Sequence, residues 1–153
     1  MPDAPRSVRR STPRATNPAQ AVPANGANSR SVIGGLLRGQ PELTLLQKAA
    51  AGVATIELVD DRYALLATVL AMRPGALVLP PYDSDRTSTA PLVLRIRREV
   101  PSVPVLVISS HPRGAGQPML RAVQAGAHVI AAPSAAELHA ALASLLESKG
   151  LSQ

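Results

Sequence analysis

Residues 104–146, PVLVISSHPRGAGQPMLRAVQAGAHVIAAPSAAELHAALASLL, constrain the fold of this chain more than any other stretch. The run at 104–109 is apolar, rich in β-branched residues and bounded by Pro and Ser, the pattern of a buried strand, and 128–131 is a shorter version of it. Between them 117–125 has helical spacing. Leu138, Leu142, Leu145 and Leu146 then recur at the 3.6-residue period of a last helix opened by Ser134. Parallel strands can be joined only by a crossover, so two strand–helix units in succession call for a parallel sheet with helices on its faces.

The same alternation runs upstream. The segment 32–37 (VIGGLL) is a short apolar run, followed by a helix at 41–50, with Pro41 in its first turn and Gly52 past its end. The segment 54–59 (ATIELV) is β-prone, and 61–72 is helical, with Asp60 or Asp61 as its cap and Arg73-Pro74-Gly75 as its stop. A third strand at 76–79 is followed by the break Pro80-Pro81, a polar loop and a helix from about 89 to 99. Five strands alternating with five helices through short loops give an α/β fold, a doubly wound five-stranded parallel sheet with right-handed crossovers. The box Ser134-Ala135-Ala136-Glu137 opens the last helix: the serine hydroxyl accepts from the Glu137 N–H while the glutamate reaches back to the Ser134 N–H.

Charge divides the chain. Residues 1–30 carry Arg6, Arg9, Arg10, Arg14 and Arg30 against the single acid Asp3, together with five prolines and almost nothing large enough to bury. Ordering such a segment costs backbone entropy with little return, so 1–30 is expected to be a disordered basic tail, 31–149 the folded domain and 150–153 a short C-terminal tail. An Arg-rich arm can bind nucleic acid, through Arg6, Arg9, Arg10 and Arg14, or an acidic protein surface; a solvated leader without a partner is the equal alternative. The chain has no cysteine, which removes disulfides, thiolate zinc sites and thiol catalysis. It has no apolar run of the roughly 20 residues that span a bilayer and no apolar signal core, so a soluble, cytoplasmic protein is expected.

The string RPGALVLPPYDSDRTSTAPLVLRIRREVPSVPVLVISSH, with AVQAGAHVIAAPSAAELHAAL after it, resembles the second half of a response-regulator receiver domain. The likeness extends over 31–147, strongly from Arg73 onward and weakly before it. It implies a flavodoxin-like fold with the site at the carboxyl ends of the strands. Receiver phosphorylation uses an aspartate nucleophile after the third strand, two acids after the first strand to hold Mg²⁺, a Ser or Thr after the fourth and a Lys after the fifth. Carried over by position, the nucleophile falls on Pro81, the acidic pair on Arg38 and Gly39, the hydroxyl on Ser109 (Ser110 if the register slips by one), and the Lys on Ala132. The aromatic switch of the fifth strand falls on Val129. The resemblance therefore implies a degenerate pseudo-receiver, without cofactor, metal or small-molecule substrate.

Two acidic pairs compete for that role. Asp60-Asp61 follows an apolar strand as the family's Mg²⁺ pair does, but that register leaves too few strand–helix units downstream, and a helix cap explains the pair. Asp83 and Asp85 lie just past Pro81, in a loop where turn-forming Asp is expected. His111, His128 and His139 show no metal-binding spacing, and Gly34, Gly35 and Gly39 do not make a phosphate-binding loop.

With catalysis removed, the expected function is a non-enzymatic, phosphorylation-independent protein-interaction or dimerisation module in bacterial signalling or transcriptional control. In receiver-like domains the face of the fourth helix, fifth strand and fifth helix makes such contacts. Here it would draw on Met119, Arg121, Ala122, Gln124, His128, Val129, Leu138, His139, Ala141 and Leu142, some of which must pack the sheet instead. The alternative is a nucleic-acid-associated regulator that binds through the arm. The capping box supplies a test: Ser134→Ala should lower stability by about 1 kcal/mol in a thermal or urea melt. A variant that melts like the parent would mean that the last helix begins elsewhere.

Overall fold

The computed structural model describes residues 30–111 and 116–151, with side chains through 147. Ten elements alternate along the chain: β1 Ser31–Gly35, α1 Pro41–Ala50, β2 Thr55–Val59, α2 Arg62–Met72, β3 Ala76–Leu79, α3 Ala90–Glu99, β4 Val105–Ser109, α4 Gln117–Gln124, β5 His128–Ala131 and α5 Ala135–Leu151. All strand pairs are parallel, and the order across the sheet is β2-β1-β3-β4-β5, the flavodoxin-like arrangement. The doubly wound five-stranded sheet expected from the alternation is the fold observed. Residues 1–29, all but one of those expected to form the tail 1–30, lie outside the described residues.

The period of two along each strand decides which helices cover which face. Ile33, Leu77, Leu79, Val105 and Val107 point to one side, where Leu65 and Val69 of α2, Val93 and Ile96 of α3 and Ala122 of α4 complete a core. Val32, Ala76, Val78, Leu106 and Ile108 point to the other side, against Leu46 and Ala49 of α1 and Leu138 and Leu142 of α5. The three central strands are buried throughout apart from Ser31, whereas the edge strands β2 and β5 are part-exposed.

Local chemistry sets the element ends. The Asp61 carboxylate accepts the Tyr63 N–H at 2.9 Å, so Asp61 is the cap of α2 and the helix starts one residue later than the pattern suggested. Arg73 stops α2 in the left-handed conformation, with its N–H on the Val69 carbonyl. The capping box of α5 is formed as expected, with Glu137 N–H to Ser134 Oγ at 3.0 Å and Ser134 N–H to Glu137 Oε1 at 2.7 Å.

The apolar run 32–37 is longer than the strand it makes. The chain leaves the sheet at Leu36, whose φ is +60°, and Leu37 folds under into the second core. Gly35 permits this ending: a Cβ there would lie 2.7 Å from a methyl of Leu79 and 2.9 Å from one of Leu65. Its bareness lets those two leucines close over the end of β1, at the edge where the candidate site lies.

Candidate functional site at the carboxyl edge of the sheet

A cleft of about 670 Å³ opens between the loops that follow β1, β3 and β4, lined by Gly39, Gln40, Glu42, Pro81, Tyr82 and Ser109 among others. The fold thus brings three of the expected site positions together, Gly39, Pro81 and Ser109. Ser109 is fully buried, and its Oγ accepts the His111 N–H at 3.2 Å. Arg38 and Ala132 stand apart. Arg38 turns to the neighbouring groove and pairs with Asp60, which holds its guanidinium above its ordinary pKa. Ala132 lies in a separate groove of about 300 Å³ with Thr44, Lys48 and Pro133. Its φ is +48°, and its N–H donates to the Ser109 carbonyl at 2.7 Å.

The chemistry of these positions is limited by their residue types. The two residues directly after β1 are Leu36 and Leu37, both buried, and Arg38 and Gly39 follow, so neither pair offers a carboxylate. The exit of β3 is a clamp: Thr89 Oγ1 donates to the Pro80 carbonyl at 2.6 Å, and the Thr89 N–H donates to the Pro81 carbonyl at 3.0 Å. Proline brings no side-chain oxygen, and its backbone oxygen here is already bonded.

The loop beyond the clamp folds on itself around Asp83. Tyr82 and Ser88 form an antiparallel bridge, and the Asp83 N–H donates to the Thr87 carbonyl at 2.9 Å. The carboxylate organises the rest: Oδ1 accepts the N–H groups of Asp85 at 2.9 Å and Thr87 at 3.0 Å, and Oδ2 accepts from Arg62 at 2.9 Å. Burial opposes ionisation of Asp83. The hydrogen bonds from Thr87, Arg62 and Asp85 and the charge of Arg62 outweigh it and hold the carboxyl below its usual pKa. Asp83 therefore serves as the turn-forming residue the loop composition suggested. In the adjacent groove of about 640 Å³, Asp60 is paired by Arg38 and Asp61 caps α2. Among the described residues no group of three or more His, Cys, Asp or Glu is placed to hold a metal ion.

Glu42, Arg62 and Thr89 were not among the residues singled out from sequence. Glu42 Oε2 accepts the Ser110 N–H at 2.8 Å across 68 residues of chain, and Arg62 reaches Asp83 across 21. Neither has a local signature, although Thr89, next to a helix start and eight residues after Pro81, carried a weak one.

The candidate partner face needs correcting. Leu138 and Leu142 are fully buried against α1 and the sheet, and Met119 and Ala122 pack against the other core, so these four hold the fold together and face no partner. Val129 is likewise packed against the core. The His139 ring nitrogen Nδ1 lies 2.9 Å from the Ala49 carbonyl, tying α5 to the end of α1. Arg121, Gln124 and His128 are exposed. Beside them stand Leu120 and Val123, 53% and 48% exposed, a pair the sequence reading passed over. Arg6, Arg9, Arg10 and Arg14 lie outside the described residues.

No family model matches the chain, and no curated protein matches it. Solved structures do. The signal receiver domain of an HD domain-containing protein from Pseudomonas fluorescens Pf-5 superposes with a TM-score of 0.66 at 16% identity, over 82% of this chain and 92% of that one. A CheY-like response regulator receiver domain protein from Methanospirillum hungatei JF-1 gives 0.65 at 13% identity, over 81% and 98%. The beryllofluoride-activated NtrC4 receiver domain dimer gives 0.60 at 14%, over 79% and 98%. At such identities the likeness establishes the fold, which is receiver-like. No helix among the described residues is long and apolar enough to cross a membrane.

The Asp83 network makes a pH-dependent prediction. A carboxyl whose pKa is depressed on folding contributes stability above its unfolded value, about 3.9, and that contribution is lost as pH falls through the folded value. Asp83→Asn should therefore melt below the parent at neutral pH, and the gap should shrink as the pH is taken below about 4. Thermal melts across that range check it; a gap independent of pH would mean that the ionised carboxylate is not what stabilises the loop.

Proposed function

We propose that this chain is a pseudo-receiver: a receiver-like module that works without phosphorylation, by binding a protein partner or a second copy of itself. The observation that carries this reading is the exit of β3, where Pro80 and Pro81 replace any carboxylate and both carbonyls are held by Thr89. Three further features support it. The loop after β1 offers Leu36, Leu37, Arg38 and Gly39 in place of acids, the position that the resemblance gives to the lysine falls on Ala132, which carries no cation, and the next aspartate along the chain, Asp83, is committed to Arg62 and two backbone N–H groups.

The surface assigned to binding is the outward side of α4, continued by the exposed end of β5. Leu120 and Val123 are one helical turn apart and both about half-exposed, with Arg121, Gln124 and His128 around them. A small apolar centre with a polar surround suits a modest protein interface. One structure of similar fold, the beryllofluoride-activated NtrC4 receiver domain, is a dimer.

Sedimentation velocity over a range of concentrations, with and without beryllofluoride and Mg²⁺, tests the reading. The expected result is self-association that ignores beryllofluoride and is abolished by Leu120→Asp with Val123→Asp, with the melting temperature little changed because both side chains are half in water. Self-association that requires beryllofluoride, or that survives the double substitution, contradicts it.

A further inference from the structure

Glu42, the second residue of α1, forms part of the cleft lining yet has no place in the interaction reading. The residue is 4% exposed. Its Oε2 is taken by the Ser110 N–H at 2.8 Å, while its Oε1 is buried without a hydrogen-bond partner. None of the ion pairs between described residues includes it. The other carboxylate of the cleft, Asp83, already has Arg62. Glu42 is thus a buried acceptor with half of its capacity unused, an arrangement that is unfavourable until a donor completes it.

We infer that the carboxyl-edge cleft is a binding site for a primary ammonium group, held by Glu42. A cation is favoured over a neutral donor because charge-assisted hydrogen bonds are the stronger kind. A divalent metal ion wants six or more oxygen ligands in the case of Ca²⁺, or near-octahedral geometry in the case of Mg²⁺, and the cleft has no cluster of three ligating side chains among the described residues. A guanidinium is best matched by both oxygens of a carboxylate, and here one is already bonded to Ser110; an ammonium is a compact point donor that needs only the other.

The remaining lining fits an ammonium carried on a short aliphatic chain. Pro41, Pro81 and Tyr82 are among the lining residues and contribute apolar surface. Arg86 on the lining opposes positive charge, so Glu42 must outweigh it for one ammonium and a polyamine is disfavoured more than a monoamine. The volume of about 670 Å³ lies within the usual range of small-ligand pockets. The ammonium can belong to a free amine or to a lysine side chain of another protein. The inference stands whether or not α4 is an interface.

The test is an NMR titration of the full chain with n-butylammonium chloride, with tetramethylammonium chloride as a cation lacking N–H donors. Saturable amide shifts at Ser110 and Tyr82 are expected with n-butylammonium, about tenfold weaker binding with tetramethylammonium, and loss of binding in Glu42→Gln, which keeps the size and the Ser110 acceptor but removes the charge. Tyr82→Ala, at a part-exposed position, supplies a second variant should E42Q melt early, and it should weaken binding as well. Nα-acetyl-lysine N-methylamide in a parallel titration separates the sources: tighter binding than n-butylammonium points to a lysine side chain, weaker binding to a free amine, and either supports the site. The variant with Leu120→Asp and Val123→Asp should bind n-butylammonium as the parent does, so the ammonium site and the interaction surface stand or fall separately. No saturable shift at Ser110, or equal binding in E42Q and Tyr82→Ala, overturns the inference.

Discussion

In the middle of the sheet, Ile33, Leu77, Leu79, Val105 and Val107 point into one helical layer while Val32, Ala76, Val78, Leu106 and Ile108 point into the other, and almost no water reaches either set. Burial of each such side chain contributes on the order of 1.5–3 kcal/mol before the entropy of ordering is subtracted. A slip of one residue in any central strand would exchange the two sets and put each against the wrong helices, so two-sided burial fixes the register as well as the stability. It also leaves no place for polar chemistry inside the sheet. Side chains that bind or react must stand where the strands end, and the crossovers bring the loops after β1, β3 and β4 to the same edge.

At that edge several polar groups are already bonded within the protein. Thr89 holds the carbonyls of Pro80 and Pro81, Asp83 is shared among Arg62, Asp85 and Thr87, Asp60 is paired with Arg38, and Asp61 caps α2. A phosphoacceptor carboxylate must be exposed and attended by cations that are free to receive a phosphoryl group, and Asp60, Asp61 and Asp83 are held in an ion pair, a helix cap and a turn instead. Glu42 differs from these three, with one oxygen bonded and the other buried without a partner. The cleft is in this respect more suited to a cation than to an incoming anion.

The parts of the fold legible in the sequence are those fixed by local chemistry. The strands at 76–79 and 128–131 and the helix at 41–50 have the observed bounds, because Pro, Gly and charged residues interrupt the apolar pattern at their ends. The Ser134–Glu137 box is a contact over three residues and could be read directly. The end of β1 was harder, since Leu36 and Leu37 continue an apolar run that the backbone abandons at a positive φ. Facing was harder still. Periodicity shows where the helices α4 and α5 lie but not which of their apolar residues meet the sheet, so it cannot tell the buried Leu138 and Leu142 from the exposed Leu120 and Val123. Glu42 and Arg62 read as ordinary first-turn charges of exposed helices. Only the folded chain brings them to Ser110 and Asp83.

The central claim is that the carboxyl edge of this receiver-like fold is built without a phosphoacceptor. Intact-protein mass spectrometry after incubation with acetyl phosphate and Mg²⁺ tests this most directly, with peptide mapping across residues 76–89. The account predicts an unmodified mass at every time point. A stoichiometric, Mg²⁺-dependent phosphoryl adduct mapping to Asp83 or Asp85 would contradict it.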